Sequence, residues 1–224
     1  APLLAERFRV VAIDARGHGD SDWADAYGWL VDLLDIAAVL RDLGRPAHLL
    51  GHSKGGGQAL DTACLFPDRV RQVVNLDGFG PSPEGFRPPG FEAPEGGVAE
   101  RFADYLDRRR TQEERAWRPY AGLDELVERR RRMNPRLSRE WLRYLLELGS
   151  REVEGGRIWK VDPLAAGGFG PWKPEWAAPG WQRLRAPLLA VIGSEPDTWG
   201  PLPEPLLAER LAYVPVLERA TVRG

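Results

Sequence analysis

Cysteine is almost missing from this chain: Cys64 is the only one in 224 residues, so no intrachain disulfide can form. That usage fits a reducing compartment, and a cytoplasmic location is the expectation. Lysine is scarce as well, at positions 54, 160 and 173 only; the other basic side chains are arginine, a bias that points to no function. No apolar run approaches the roughly 20 residues that a membrane helix needs. Residues 1–7 lack the basic, apolar, small-residue order of a secretory signal. The first residue is Ala1 and not Met, so the natural start is expected to lie elsewhere. Two phosphate-binding patterns are missing too. G-x-x-x-x-G-K-[ST] fails because Lys54 precedes Gly55, and G-x-G-x-x-G fails because position 53 is Ser. With a formal net charge of -2, no general attraction to nucleic acid or acidic lipid is expected. No set of residues suggests a metal site, and no cofactor is expected.

What is present reads as an ordinary globular composition, 43% hydrophobic and 29% charged, in a chain long enough to bury a large core. The run Phe8 to Asp14 predicts a buried strand, followed by a loop through Arg16-Gly17-His18-Gly19. Leu30, Leu33, Leu34, Ala37 and Leu40 recur at helical spacing and predict an amphipathic helix that stops near Gly44-Arg45-Pro46. Ala47 to Leu50 predicts a strand, Gln58 to Phe66 a small-residue helix, and Val70 to Leu76 another strand closed by Asp77-Gly78. Strand patterns return at Pro187 to Gly193 and Val214 to Val222, around a helix near Pro205 to Leu211. Strands alternating with helices in this way predict an α/β fold with a mostly parallel sheet and flanking helices.

The segment Gly51-His52-Ser53-Lys54-Gly55 sits where a strand turns into a helix. There G-x-S-x-G has a mechanical meaning: a tight turn lifts the serine hydroxyl above the sheet edge at a helix N-terminus. Gly51 and Gly55 supply the small flanks such a turn requires, and the Lys54 backbone N–H is a candidate oxyanion donor.

Three segments taken together resemble the α/β-hydrolase family. They are Asp14-Ala15-Arg16-Gly17-His18-Gly19-Asp20-Ser21, then Gly51-His52-Ser53-Lys54-Gly55-Gly56, then Phe66-Pro67-Asp68-Arg69-Val70. The resemblance implies that residues 1–79 and 186–224 form an incomplete hydrolase core, with residues 80–185 a helical lid inserted between two strands. It implies that Ser53 is the nucleophile, held by elbow residues Gly51, His52 and Gly55. The acid is expected in the loop after the strand at 187–193, where Asp197 fits the family's spacing. Glu195 is a lesser rival there, and Asp77, at the end of the preceding strand, is the serious alternative.

The base is the difficulty, because a serine at neutral pH needs one. The three histidines are His18, His48 and His52, and all precede or adjoin the serine, whereas the family places its base late in the chain. His18 resembles a structural residue of the family's loop. The chain is accordingly expected to be an internal piece of a longer enzyme, weakly active at best by itself.

Between the two halves of the core, Arg108 to Arg110 and Arg129 to Arg132 could suggest a nucleic-acid patch. Glu125–Arg129 and Glu128–Arg132 spacing makes exposed helix pairs the better expectation. Trp141, Leu142, Leu145, Leu146 and Leu148 predict a helix face packed onto the sheet domain. Trp159, Trp172, Trp176 and Trp181 read as packing between lid and core, with an apolar pocket as the alternative.

The expectation is therefore a serine hydrolase acting on an ester, amide or related acyl bond, with a small-molecule substrate that carries an apolar part. The alternatives are a non-catalytic binding protein of the same fold, or a cofactor-free C–C hydrolase or haloperoxidase-like activity. Epoxide and haloalkane chemistry is disfavoured, since it needs a carboxylate where Ser53 stands.

Overall fold

Short apolar runs and helices alternate along the first part of the chain, starting with a single helical turn, α1 (Pro2–Ala5), and helix α2 (Trp29–Asp42). Strand β1 (Ala47–His52), helix α3 (Lys54–Leu65) and strand β2 (Val70–Leu76) follow. Helices α4 (Val98–Gln112), α5 (Leu123–Met133) and α6 (Arg139–Leu148) come next, then strands β3 (Ser150–Val153) and β4 (Gly156–Trp159) and the short helix α7 (Pro174–Ala177). Strand β5 (Leu188–Gly193), helix α8 (Glu204–Leu211) and strand β6 (Leu217–Val222) complete the order. This computed structural model describes residues 2–80, 97–112, 118–167, 170, 172–195 and 202–223.

The main sheet has the order β1-β2-β5-β6 with every pair parallel, as the alternating pattern predicts. One face is buried. Leu49 of β1, Val73 of β2 and Leu188 and Ala190 of β5 pack with Leu60 and Ala63 of α3, Leu207 and Leu211 of α8, and Trp181. The opposite face is less covered: Leu50 is 55% exposed, and Val74 and Leu189, its partners across the strands, are half-buried.

The segment from Phe8 to Asp14 departs from expectation. It forms no strand, and Phe8, Val10, Val11 and Ile13 are exposed. An apolar run becomes a strand only where a neighbour offers free backbone N–H and C=O groups, and among the described residues no ladder reaches it. Phe8 instead places its ring edge-on to His48, with centroids 5.7 Å apart.

Among the described residues between β2 and β5 none joins the main sheet, and helices α5 and α6 have a small core of their own. Leu126 and Val127 of α5 pack against Leu142 and Leu146 of α6, with Tyr120 and Trp159 at the margin. This corrects the expectation for α6. Trp141, Leu145 and Leu148 are exposed, and the buried pair faces α5 and not the sheet. Leu30 and Leu34 of α2 are likewise exposed, while Leu33 and Leu40 are buried. The charge pairing differs as well. Glu128 meets Arg131 at 3.1 Å and Arg139, whereas the Glu125 carboxylate accepts the Ala121 N–H at 2.7 Å.

This second unit is tied to the loop at 14–27. The Asp162 N–H donates to the Gly17 carbonyl at 2.7 Å, and the Asp162 carboxylate accepts the Tyr27 hydroxyl at 2.5 Å. Burial, reinforced by that hydrogen bond, pushes the Tyr27 phenol up to about 12. Lys160 pairs with Asp20 at 2.6 Å. The Asp162 carboxylate is thus buried and hydrogen-bonded.

Candidate active site

Strand β1 ends at His52 and α3 begins at Lys54, so the whole change of direction falls on Ser53. Its backbone has φ 50 and ψ -119, a region that residues with a Cβ rarely occupy. Such strain persists only where neighbours enforce it. Here the Ser53 N–H donates to the Leu76 carbonyl at 2.9 Å, and the Ser53 carbonyl accepts the Gly56 and Gly57 N–H groups at 3.0 and 3.2 Å. One strand over, Asp77 has φ 49. These two residues directly follow the paired residues His52 and Leu76, so each leaves the end of one of two adjacent strands.

The turn admits no side chain at Gly51. A Cβ there would lie 2.1 Å from the Gly55 carbonyl oxygen. Gly55 itself is different from expectation: a Cβ at that position meets nothing within 4 Å. The close approach is made by the Gly55 backbone against residue 51, so of these two glycines it is Gly51 that must lack a side chain.

Lys54, the first residue of α3, extends its ammonium to the Asp32 carboxylate at 2.7 Å, and Gln58 donates to the same oxygen at 2.7 Å. Asp32 is buried on α2, so this cluster fastens the first turn of α3 to α2. Deeper along α3, the two oxygens of Asp61 accept the indole N–H groups of Trp29 at 2.7 Å and Trp181 at 2.8 Å. Burial raises the Asp61 pKa, and the Trp181 and Trp29 hydrogen bonds pull it part of the way back. Trp172 stacks on Trp29 with ring centroids 3.8 Å apart. The tryptophans at 172 and 181 thus pack against the core, as the packing expectation has it, while Trp176 is more exposed. Cys64 is buried and its thiol is pushed up to about 12 by burial, as befits a small core residue.

The expected acids fall in different places. Asp197 lies outside the described residues. Glu195 is exposed and pairs with Arg136. Both oxygens of Asp77 face the Gly193 N–H, at 3.1 and 3.0 Å, which joins the ends of β2 and β5. Two of the three histidines have contacts away from the serine. His18 Nδ1 lies 3.0 Å from the Arg16 carbonyl, a loop-holding contact, and His48 packs with Phe8. Among the described residues no histidine hydrogen-bonds the Ser53 hydroxyl. Asn75, Asp32 and Asp61 escaped the motif reading. Only Asn75 had a local signal, since Asn three residues before Gly is a turn-forming pattern.

The comparisons with known proteins agree with this architecture. Residues 1–222 match the model of the alpha/beta hydrolase family. The chain belongs to the α/β-hydrolase family. A 2-(acetamidomethylene)succinate hydrolase of Mesorhizobium japonicum is 42% identical over 76 residues, covering 33% of this chain and 27% of that protein. A serine hydrolase-like protein of Danio rerio is 32% identical over 165 residues, covering 72% of this chain and 49% of that one. The chain thus spans about half or less of the length of these curated relatives. Among solved structures, a thioesterase domain from the curacin biosynthetic pathway superposes with a TM-score of 0.74 at 23% identity, over 100% of this chain and 77% of its own. No described helix is long and apolar enough to cross a membrane.

Proposed function

We propose that this protein is a serine hydrolase that cleaves an ester, amide or related acyl bond through an acyl-serine intermediate. The observation that carries the reading is the strained Ser53, held between a parallel strand and the first turn of a helix in a chain of this family. In the proposed reaction Ser53 Oγ attacks the acyl carbon and gives its proton to a base. The carbonyl oxygen becomes an oxyanion, and the Lys54 backbone N–H is one donor to it. Collapse expels the alcohol or amine, which takes the proton, and water then releases the acid. Asp197 is the proposed acid, with Asp77 the alternative, supported by its place one strand from Ser53.

Residues 80–185 act as a lid in this reading, supported by the separate core of that segment and by the Arg136–Glu195 pair reaching the end of β5. The substrate is a small molecule with an apolar part. A cytoplasmic location and the absence of any nucleic-acid partner remain part of the proposal.

A fluorophosphonate probe applied to the natural full-length protein should label Ser53 and leave the Ser53→Ala variant unlabelled. An intact fold that takes no label at Ser53 overturns the reading. The second reading, a ligand-binding member without catalysis, is favoured by one observation: no histidine hydrogen-bonds the Ser53 hydroxyl among the described residues. It predicts ligand binding with neither labelling nor turnover.

A further inference from the structure

The turn after β2 presses on the back of the serine elbow, and one buried side chain holds it there. Asn75 is fully buried in the last half of β2. Its amide makes a reciprocal pair with one residue: Oδ1 accepts the Gly78 N–H at 2.7 Å, and Nδ2 donates to the Gly78 carbonyl at 3.2 Å. Both backbone groups of Gly78 are thereby bound by a single side chain. Gly78 in turn lies against the elbow. A Cβ on it would stand 2.4 Å from the Ser53 carbonyl oxygen and 2.8 Å from the Gly56 Cα. The Asn75 amide itself abuts the helix start, since a Cβ on Gly56 would fall 2.3 Å from its Oδ1.

Asn75, Gly78, Gly56 and Ser53 therefore form one close-packed unit with no room for an extra methyl group at either glycine. Both strained residues, Ser53 and Asp77, sit at its edges. The Ser53 carbonyl cannot move inward without meeting Gly78, and Gly78 cannot withdraw without breaking two hydrogen bonds to Asn75. A side chain that is fully buried, bonds one glycine through both its amide oxygen and its amide nitrogen and backs a strained serine has a more specific task than filling space.

We infer that Asn75 is a positioning residue for Ser53, acting through Gly78 to hold the serine in its strained backbone geometry. The inference rests on the reading of Ser53 as the nucleophile. A displaced nucleophile loses reactivity far more than it loses substrate affinity, because the reacting atoms must meet at close range in one orientation.

The test compares Asn75→Ala and Asn75→Asp with the wild type in the natural full-length protein. It measures the fluorophosphonate labelling rate of Ser53, and kcat and KM on an activated ester, per titrated active site. Asn75→Ala should lower the labelling rate and kcat by about a hundredfold with KM little changed. Asn75→Asp, which can still accept the Gly78 N–H, should fall between. Exchange of the Gly78 amide hydrogen should accelerate in Asn75→Ala while the exchange of α8 stays as it was. A merely structural role predicts fewer active sites with unchanged kcat per site, and that result overturns the inference. So does a Gly78 amide that stays protected in Asn75→Ala. If the wild type itself neither labels nor turns over, the hydrolase reading falls, and this inference with it.

Discussion

Trp181 donates its indole N–H to the buried carboxylate of Asp61 at 2.8 Å, and this bond joins the end of the long middle segment to the helix that starts behind Ser53. Trp29 takes the second oxygen of the same carboxylate. These indole N–H groups offset part of the cost of burying the Asp61 carboxylate.

The pH dependence of stability follows from that arrangement. Burial raises the Asp61 pKa above its ordinary value, so the folded state binds this proton more tightly than the unfolded chain does. The contribution to stability is fully present below the unfolded carboxylate value and is lost as pH rises through the folded value. Asp61→Asn should therefore flatten the fall in stability across that window, measured by urea unfolding at a series of pH values. Asp61→Ala should destabilise at every pH, by about 1–3 kcal/mol for each indole N–H left buried without an acceptor. An unchanged pH profile in Asp61→Asn would count against this account.

The elbow glycines should respond oppositely to alanine. Gly51→Ala sets a methyl group against the Gly55 carbonyl oxygen, 2.1 Å away, and that backbone has to shift. Overpacking of this kind costs about 1–3 kcal/mol or more. Gly55→Ala enters open space inside α3, where alanine is the better helix former by up to about 1 kcal/mol. Chemical denaturation of the two variants checks the contrast, and equal losses at both positions would contradict the geometry.

The identity of the acid is decided by two amide substitutions. If Asp197 orients the base, Asp197→Asn should lower kcat by about 10⁴-fold, the order seen when a triad acid is neutralised. Asp77→Asn should then cost far less, since Asp77 would serve only to tie its turn to the Gly193 N–H. The reverse ranking assigns the acid to Asp77. Steady-state kinetics on an activated ester distinguish the two.

Much of this was legible in the linear chain, for reasons of local physics. Strands β1, β2 and β5 announced themselves as short apolar runs bounded by Gly, Pro and Asp, whereas every residue of β6 is exposed and its place followed from the alternation with α8. The elbow was legible because a glycine two residues before a serine, between a strand and a small-residue helix, restricts the turn. The family followed from three short segments read together. Other readings failed for an equally physical reason. Phe8 to Ile13 has the composition of a strand, yet strand formation depends on a neighbour that composition cannot supply. The apolar side of α6 is wide, running from Trp141 and Leu145 round to Leu142 and Leu146, so helical spacing alone could not tell which part of it packs on α5.

The sequence by itself determined the α/β alternation, the parallel sheet and the place of Ser53, because each rests on residues close together in the chain. Only the tertiary structure decided what encloses that serine. Gly78 against the Ser53 carbonyl, Asp32 beneath Lys54, and Asp61 between Trp29 and Trp181 are contacts between residues far apart in the chain. A buried polar side chain must find its partner wherever the fold brings one, and no local pattern records where that will be.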